Sequence, residues 1–192
     1  MNNSTAQQSA SNLVEEQRDA QSKTDWDASN LTELIAHLLR HHHPYTKSAL
    51  EELAPLLDKV VRVHGDQHPE LHELYKLFAE LRDDMGMHLM KEENILFPYM
   101  LALETEAPQA AHFGTIANPI RMMMMEHEHD SLILHRMLEV TDRFTLPAGA
   151  CGSYTALYAG LQALVDDLFQ HIRLENDIVF PKAIATEKRM QE

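Results

Sequence analysis

Cysteine is almost absent from this sequence, because Cys151 is the only one among 192 residues. A single cysteine excludes an internal disulfide, a four-cysteine zinc site and an iron-sulfur cluster held by cysteines of this chain alone. A chain without disulfides suits a reducing compartment, so we expect a cytoplasmic protein.

Long hydrophobic runs are also missing. No stretch approaches the ~20 consecutive apolar residues that a membrane-spanning helix needs, and the first residues lack the basic and then apolar regions of a signal peptide. We therefore expect neither a membrane anchor nor export.

Basic residues are scarce relative to acidic ones. The chain has 16 Lys and Arg against 30 Asp and Glu, which gives a formal net charge of -14. Such a charge disfavours binding to a polyphosphate or to an anionic membrane surface. Neither nucleic acid nor a membrane is an expected partner.

Glycine is rare as well, with six residues in the whole chain. From about Ala28 onwards, long stretches with apolar residues at helical spacing predict helices throughout. Residues 1–27 are polar and contain few large apolar groups, a composition that cannot offset the entropy lost on ordering. We expect a flexible or weakly helical tail over residues 1–27 and one domain over residues 28–188.

The periodic part divides into four predicted helices joined by short connections. Short connections make consecutive helices antiparallel neighbours, and the natural packing solution is an up-down-up-down four-helix bundle. The predicted fold class is therefore all-α. The expected helices cover roughly residues 30–63, 70–105, 118–143 and 152–187.

A gap-free internal repeat is the strongest signal in the sequence. Two segments 83 residues apart share eight identities although they otherwise differ, which indicates that one half-bundle unit is used twice. The identical pairs are Leu81 and Leu164, Asp83 and Asp166, Asp84 and Asp167, His88 and His171, Glu92 and Glu175, Ile95 and Ile178, Phe97 and Phe180, and Pro98 and Pro181.

The repeat carries a histidine and a glutamate four residues apart. This spacing places His88 with Glu92, and His171 with Glu175, on one helical face, and an isoleucine three residues after each glutamate predicts that the face is apolar and inward. A buried glutamate is costly unless a positive group compensates it, and a metal ion does so most effectively. Two such pairs suit two iron ions.

Asp84 and Asp167 each lie four residues before a histidine of the repeat. They either accept the second N–H of that imidazole and fix its tautomer, or they are ordinary acids on a helix surface. Both interpretations stay open on the sequence alone.

Further ligands would have to come from the first and third predicted helices. The first offers His41, His42 and His43, and the third offers His127 and His129. Consecutive helical residues turn by about 100°, so at most one of each group faces the centre. Apolar residues in the adjacent turns favour His129 on the third helix and His42 on the first.

Several motifs together resemble the hemerythrin-like superfamily of di-iron four-helix bundles, and within it the repair-of-iron-centres proteins. The resemblance covers about residues 26–186. It rests on Leu34-Ile35-x-His37, Lys59-Val60-Val61-Arg62-Val63-His64-Gly65-Asp66, His88-Leu89-Met90-Lys91-Glu92-Glu93, Glu128-His129-Asp130, Ala150-Cys151 and His171-Ile172-Arg173-Leu174-Glu175-Asn176.

This resemblance implies a ligand set. In similar proteins the histidine of the first helix precedes the Arg-Val-His-Gly stretch by a fixed interval, which lands here on His43, with His42 as the alternative. The resemblance also implies two iron ions bridged by carboxylates and by an oxo or hydroxo group. The other implied ligands are His88, Glu92, His129, His171 and Glu175.

The resemblance also implies a function in stress response, namely repair of iron-sulfur clusters damaged by nitric oxide or oxidative stress, with iron donation as one route. The alternatives are a di-iron nitric-oxide reductase and an oxygen-binding or NO-binding sensor or carrier. Expected partners are iron-sulfur proteins as clients and NO or O2 as small ligands, and the expected state is a monomer or homodimer. Many repair-of-iron-centres proteins carry a small cysteine-containing domain before the bundle, whereas the polar residues before it here contain no cysteine.

Overall fold

A computed structural model describes residues 26–105 and 112–191 of the chain. These residues form four long helices and contain no strand, which confirms the all-α four-helix bundle. We number them α1 (31–64), α2 (70–104), α3 (Ala117–Val140) and α4 (152–191). In the described part of the chain no helix is long and apolar enough to cross a membrane.

The predicted tail over residues 1–27 lies almost wholly outside the described residues. The five residues that precede the bundle form a turn, in which the Ser29 N–H donates to the Trp26 carbonyl at 3.2 Å. The bundle itself begins at Leu31.

The bundle is held together by an apolar core of leucines. In this core α1 packs against α2 and α4, and α2 packs against α3. Fully burying one leucine side chain stabilises the fold by about 1.5–3 kcal/mol. Residues of the core that are fully buried include Leu57, Leu71, Leu74, Leu81, Leu134, Leu157, Leu161 and Leu164.

Three of the four helices contain one π-helical turn, in which an N–H bonds to the carbonyl five residues earlier. The turns are Leu38–His42 in α1, Glu92–Leu96 in α2 and Glu175–Val179 in α4. A π turn holds more residues than an α turn, so it shifts the inward face of the helix along the sequence. The π bonds run from His43 to Leu38, from Phe97 to Glu92 and from Phe180 to Glu175.

A proline follows each π turn in the same register. Pro44, Pro98 and Pro181 each lie two residues after the last residue of the turn. In a regular α-helix the proline ring clashes with the carbonyl four residues earlier, and here that carbonyl lies within the π turn, where the helix is wider. The three prolines therefore mark the π turns in the sequence.

The π turns overturn part of the periodicity argument. Leu96 and Val179 are buried at 2% and 0% exposure, whereas Ile95 is 53% exposed and Ile178 is partly buried. The prediction that the repeated isoleucines face inward is therefore wrong for Ile95. A regular 3.6-residue period cannot anticipate the one-residue shift that the π turn introduces.

The repeat also extends to two helix caps. The carboxylate of Glu104 accepts hydrogen bonds from the N–H groups of Leu31 at 2.7 Å and Thr32 at 3.0 Å. Glu187, 83 residues later, accepts one from the N–H of Ile116 at 2.9 Å. Both carboxylates satisfy unpaired N–H groups at a helix N-terminus and oppose its positive dipole end. They tie α2 to the start of α1, and α4 to the start of α3.

Candidate metal centre

Six buried side chains from all four helices meet in the interior of the bundle. We call them the central cluster, and each is at most 2% exposed. Four are histidines and two are glutamates, so the donors are imidazole nitrogens and carboxylate oxygens. The members are His43 from α1, His88 and Glu92 from α2, His127 from α3, and His171 and Glu175 from α4.

One half of the central cluster is formed by His43 and His171. The Nε2 atom of His43 lies 3.6 Å from Oε2 of Glu92, and Nε2 of His171 lies 3.1 Å from Oε1 of Glu175. The donor atoms of this set lie within 4.8 Å of one another. This half therefore offers two nitrogens and two oxygens to one point.

The other half uses the remaining oxygen of each glutamate. Nε2 of His88 lies 3.2 Å from Oε1 of Glu92, and Nε2 of His127 lies 3.2 Å from Oε2 of Glu175. The two Nε2 atoms are only 3.1 Å apart. Each carboxylate thus presents one oxygen to each pair of histidines, so each half of the central cluster could hold one cation.

The central cluster leaves buried polar atoms without hydrogen-bond partners among the described residues. Burying such atoms unpaired is costly, and for two carboxylates at full burial the cost is large. Cations placed between the nitrogens and the oxygens would satisfy these atoms together, so the residues fit a metal centre. The unpaired atoms are Nε2 of His43, both ring nitrogens of His171, and both carboxylate oxygens of Glu92 and Glu175.

Two cluster histidines are oriented by the residue that follows each glutamate. The Nδ1–H of His43 donates to Glu93 at 2.9 Å, and Lys47 donates to the same carboxylate oxygen. The Nδ1–H of His127 donates to the amide oxygen of Asn176, also at 2.9 Å. With the proton on Nδ1, the Nε2 lone pair of each imidazole faces the centre.

The other two histidines differ in their support. The Nδ1–H of His88 donates at 3.1 Å to Glu126, which also accepts from the ammonium group of Lys91. Nδ1 of His171 has no hydrogen-bond partner among the described residues, and the ring of His42 stacks on it with centroids 5.5 Å apart. On its Nδ1 side, His171 is therefore held by packing rather than by a hydrogen bond.

The central cluster shifts the pKa values of its members in opposite directions. Burial and the neighbouring imidazole of His171 lower the pKa of His43 to about 4. Burial opposes protonation of His88, yet the carboxylates of Glu92 and Glu175 raise its pKa to about 9. Burial and Glu175 raise the pKa of Glu92, whereas His171 holds the pKa of Glu175 well below its usual value despite burial. Without a cation, protons therefore neutralise part of the buried charge.

Two phenylalanines of the repeat cover the central cluster. The ring of Phe97 lies 5.5 Å from that of His43, and the ring of Phe180 stacks on His127 at 5.7 Å with an interplanar angle of 7°. Both phenylalanines are buried. They limit water around the donors, and a dry environment strengthens electrostatic interactions there.

The structure corrects the choice of His129 on α3. His127 is 1% exposed and belongs to the central cluster, whereas the side chain of His129 is 54% exposed and its Nε2 faces Glu80 at 3.4 Å and Asp84 at 3.5 Å. Two of the three apolar residues that favoured His129, Met125 and Leu132, are themselves on the surface, and only Ile133 is buried. A signal for His127 did exist, since it belongs to the buried stripe Ile120, Met123, His127, Asp130, Leu134 and Met137, which the polar Asp130 obscures.

On α1 the structure brings His43, and not His42, into the central cluster. Both histidines are buried, because the π turn Leu38–His42 widens the inward face. The Nδ1–H of His42 donates to Asp167 at 3.0 Å. The helical-wheel preference for His42 fails because the wheel assumes a regular α-helix.

Asp84 and Asp167 do not contact the imidazoles four residues after them. Asp167 accepts from His42, and Asp84 faces His129. Glu93, Glu126 and Asn176 support the imidazoles instead, and sequence reasoning missed all three. The only available signal for them was position, since Glu93 and Asn176 each follow a repeated glutamate directly.

Several known proteins are similar to this chain in sequence. The iron-sulfur cluster repair protein DnrN of Neisseria gonorrhoeae is 41% identical over 159 residues, covering 83% of this chain and 95% of that protein. The iron-sulfur cluster repair protein YtfE of Musicola paradisiaca is 35% identical over 175 residues, covering 91% and 75%. A probable iron-sulfur cluster repair protein of Haemophilus influenzae is 36% identical over 164 residues, covering 83% and 68%.

One domain family matches most of the bundle. The hemerythrin HHE cation binding domain matches residues 34–183, a range that contains all six members of the central cluster. A cation-binding domain implies a metal-binding site, and the central cluster is a group of imidazoles and carboxylates that could hold the metal. The chain therefore belongs to the hemerythrin HHE cation binding domain family.

Proposed function

We propose that this protein is a non-haem di-iron protein that takes part in the repair of iron-sulfur clusters damaged by nitric oxide or oxidative stress. The observation that carries the proposal is the pair of donor sets that share Glu92 and Glu175, one oxygen of each to each set. The relatives that carry the name iron-sulfur cluster repair protein support it.

Iron is the metal that we propose for both positions, with an oxo or hydroxo bridge between them. Imidazole and carboxylate ligands suit iron, and no cysteine of the chain lies near the site to favour a softer metal. When bound, the pair would supply one-electron redox chemistry and, in its ferrous state, a source of releasable Fe2+. The six residues of the central cluster are the proposed ligands.

The ligand charge favours release over permanent storage. Only two carboxylates, Glu92 and Glu175, face two cations, and the other four donors are imidazoles. A site with few anionic ligands holds Fe2+ less strongly than a carboxylate-rich one, because each added carboxylate contributes a direct charge interaction. We therefore propose that iron donation to damaged iron-sulfur proteins is the route of repair.

The proposed setting is the cytoplasm. The thiol of Cys151 is exposed and forms no disulfide, which suits a reducing compartment. Iron-sulfur proteins with NO-damaged clusters are the proposed clients.

A repair assay tests this function directly. An iron-sulfur dehydratase inactivated by NO would be incubated with the iron-loaded protein, and recovery of its activity would be measured. We expect recovery with the unaltered chain and none with Glu175→Ala, which lacks a donor to both positions. Asp83→Ala, at an exposed side chain, serves as the matched control and should repair normally.

Two results would contradict the proposal. One is equal recovery with the unaltered chain and with Glu175→Ala, and the other is no recovery with the fully loaded chain under conditions where free Fe2+ restores the client.

A further inference from the structure

A surface cavity of about 340 Å³ lies between α2 and α3 and reaches the central cluster. Asp84 and His129 line its outer part, and Asp130 and His88 also belong to its wall. Because His88 is a member of the central cluster, the cavity ends against one side of that cluster. The outer residues of this cavity, Asp84 and His129, are not members of the central cluster.

Three side chains, of which Asp84 and His129 line this cavity, form a separate group of potential ligands. Glu80 and Asp84 lie on α2, and Nε2 of His129 on α3 faces both at 3.4 and 3.5 Å. Their donor atoms all lie within 4.8 Å of one another. Two carboxylates four residues apart on one helix repel each other, so a cation between them would relieve the repulsion.

A second observation points to a cation in the cavity. Asp130 is only 2% exposed, and its Oδ1 atom has no hydrogen-bond partner among the described residues although it lies in the cavity wall. A buried carboxylate oxygen without a donor is costly and calls for a positive partner. The carboxyl group of Asp130 interacts electrostatically with both Asp84 and His129, so it lies near the group formed by Glu80, Asp84 and His129.

We propose that Glu80, Asp84 and His129 bind one divalent first-row transition-metal ion, and that Asp130 guides such an ion between this surface site and the central cluster. One imidazole and two carboxylates are suitable ligands for Fe2+ or Mn2+. The formal net charge of -14 raises the local concentration of cations at an acidic opening. The passage of iron rests on the proposed function, whereas the surface site does not.

Manganese binding tests the surface site. Mn2+ would be titrated into the iron-loaded full-length protein, and the loss of the free Mn2+ electron paramagnetic resonance signal would count the bound ions. We expect about one equivalent to bind, and we expect Asp84→Asn and His129→Gln to lose it. Asp83→Asn removes the same charge one residue away on α2 and should bind as the unaltered chain does.

Equal Mn2+ binding by Asp84→Asn, His129→Gln and the unaltered chain would overturn the surface site. This outcome is independent of repair, since a chain that fails the repair assay can still bind Mn2+ at Glu80, Asp84 and His129. Circular dichroism would verify that each variant keeps its helices.

Iron uptake tests the passage. Fe2+ would be added anaerobically to metal-free protein. At successive times free Fe2+ would be chelated, the sample would be exposed to O2 to oxidise the bound iron, and the oxo-bridge absorption would be measured. We expect Asp130→Asn and His129→Gln to fill the cluster more slowly but to the same final iron content, and Asp83→Asn to fill it at the normal rate. Identical rates in all four proteins would refute the passage.

Discussion

Glu93 and Asn176 lie 83 residues apart, and each accepts a hydrogen bond of 2.9 Å from the Nδ1–H of a cluster histidine, His43 and His127 respectively. The repeat thus extends to positions where the residue type differs. A carboxylate raises the basicity of its imidazole more than a neutral amide does. The two halves of the central cluster are therefore built alike, but they differ in the basicity of the imidazole that each supporting residue orients.

The amide of Asn176 should be important for metal affinity. Asn176→Ala removes the acceptor that fixes the tautomer and orientation of His127, and loss of such a contact lowers metal affinity by about 10–100-fold. Competition with a chromophoric chelator would measure the change. Asp177→Ala, at the exposed neighbouring position, is the control and should leave the affinity unchanged. An unaltered affinity in Asn176→Ala would show that packing alone orients His127.

The two histidines of α3 should differ sharply in their effect on metal content. His127→Ala removes a buried donor of the central cluster and should lower the iron content per chain, because only His88 then offers a nitrogen to that half. His129→Ala should leave the spectrum of the loaded cluster unchanged, since its side chain is 54% exposed and lies outside the cluster. Iron analysis and optical spectra check both. If His129→Ala lost iron and His127→Ala kept it, His129 would be the ligand instead.

The π turn of α2 leads to a stability prediction. Leu96→Ala should lower the free energy of unfolding by about 2–5 kcal/mol, because it opens a cavity in the core. Ile95→Ala should change it by about 0.5 kcal/mol or less, because Ile95 is a surface residue. Urea denaturation of both variants would measure the difference. A regular α-helix would bury Ile95 instead, so a large cost at Ile95 would contradict the π turn.

The residue pattern was sufficient for the fold and for four of the six members of the central cluster. Helical periodicity and short connections predicted four helices and the bundle, and the repeat predicted His88, Glu92, His171 and Glu175, all of which lie in the central cluster. The regular period failed where π turns shift a helix face, as at Ile95. It failed on α3 because Asp130 is a buried polar member of the inward stripe.

The contacts that orient the imidazoles were beyond sequence reasoning. Glu126 supports His88 from another helix, and Glu93 supports His43 across a separation of 50 residues. Such pairs depend on how two helices pack against each other. The periodicity of a single helix carries no information about that packing. The surface site at Glu80, Asp84 and His129 depends on the same kind of contact between helices.

The central cluster should cost stability when no metal is bound. Glu92 and His88 form a buried pair in which the carboxylate raises the pKa of the imidazole. Replacing both members, by His88→Leu with Glu92→Leu, should raise the free energy of unfolding of the metal-free chain by about 1–4 kcal/mol while abolishing metal binding. Urea denaturation after chelation would measure this change. Glu128→Leu, at an exposed position of α3, should stay within about 0.5 kcal/mol. A metal-free double variant that is less stable than the unaltered chain would contradict this cost.

The most direct test of the central claim is the metal content per chain of anaerobically purified protein, with an optical spectrum before and after reduction. We predict about two irons per chain and an oxo-bridge absorption that bleaches on reduction. Because Glu175 offers one oxygen to each half, Glu175→Ala should lose both irons together while the bundle stays helical. A fully folded chain that is metal-free or holds a single zinc ion, or a Glu175→Ala variant that keeps both irons and its spectrum, would contradict the di-iron centre.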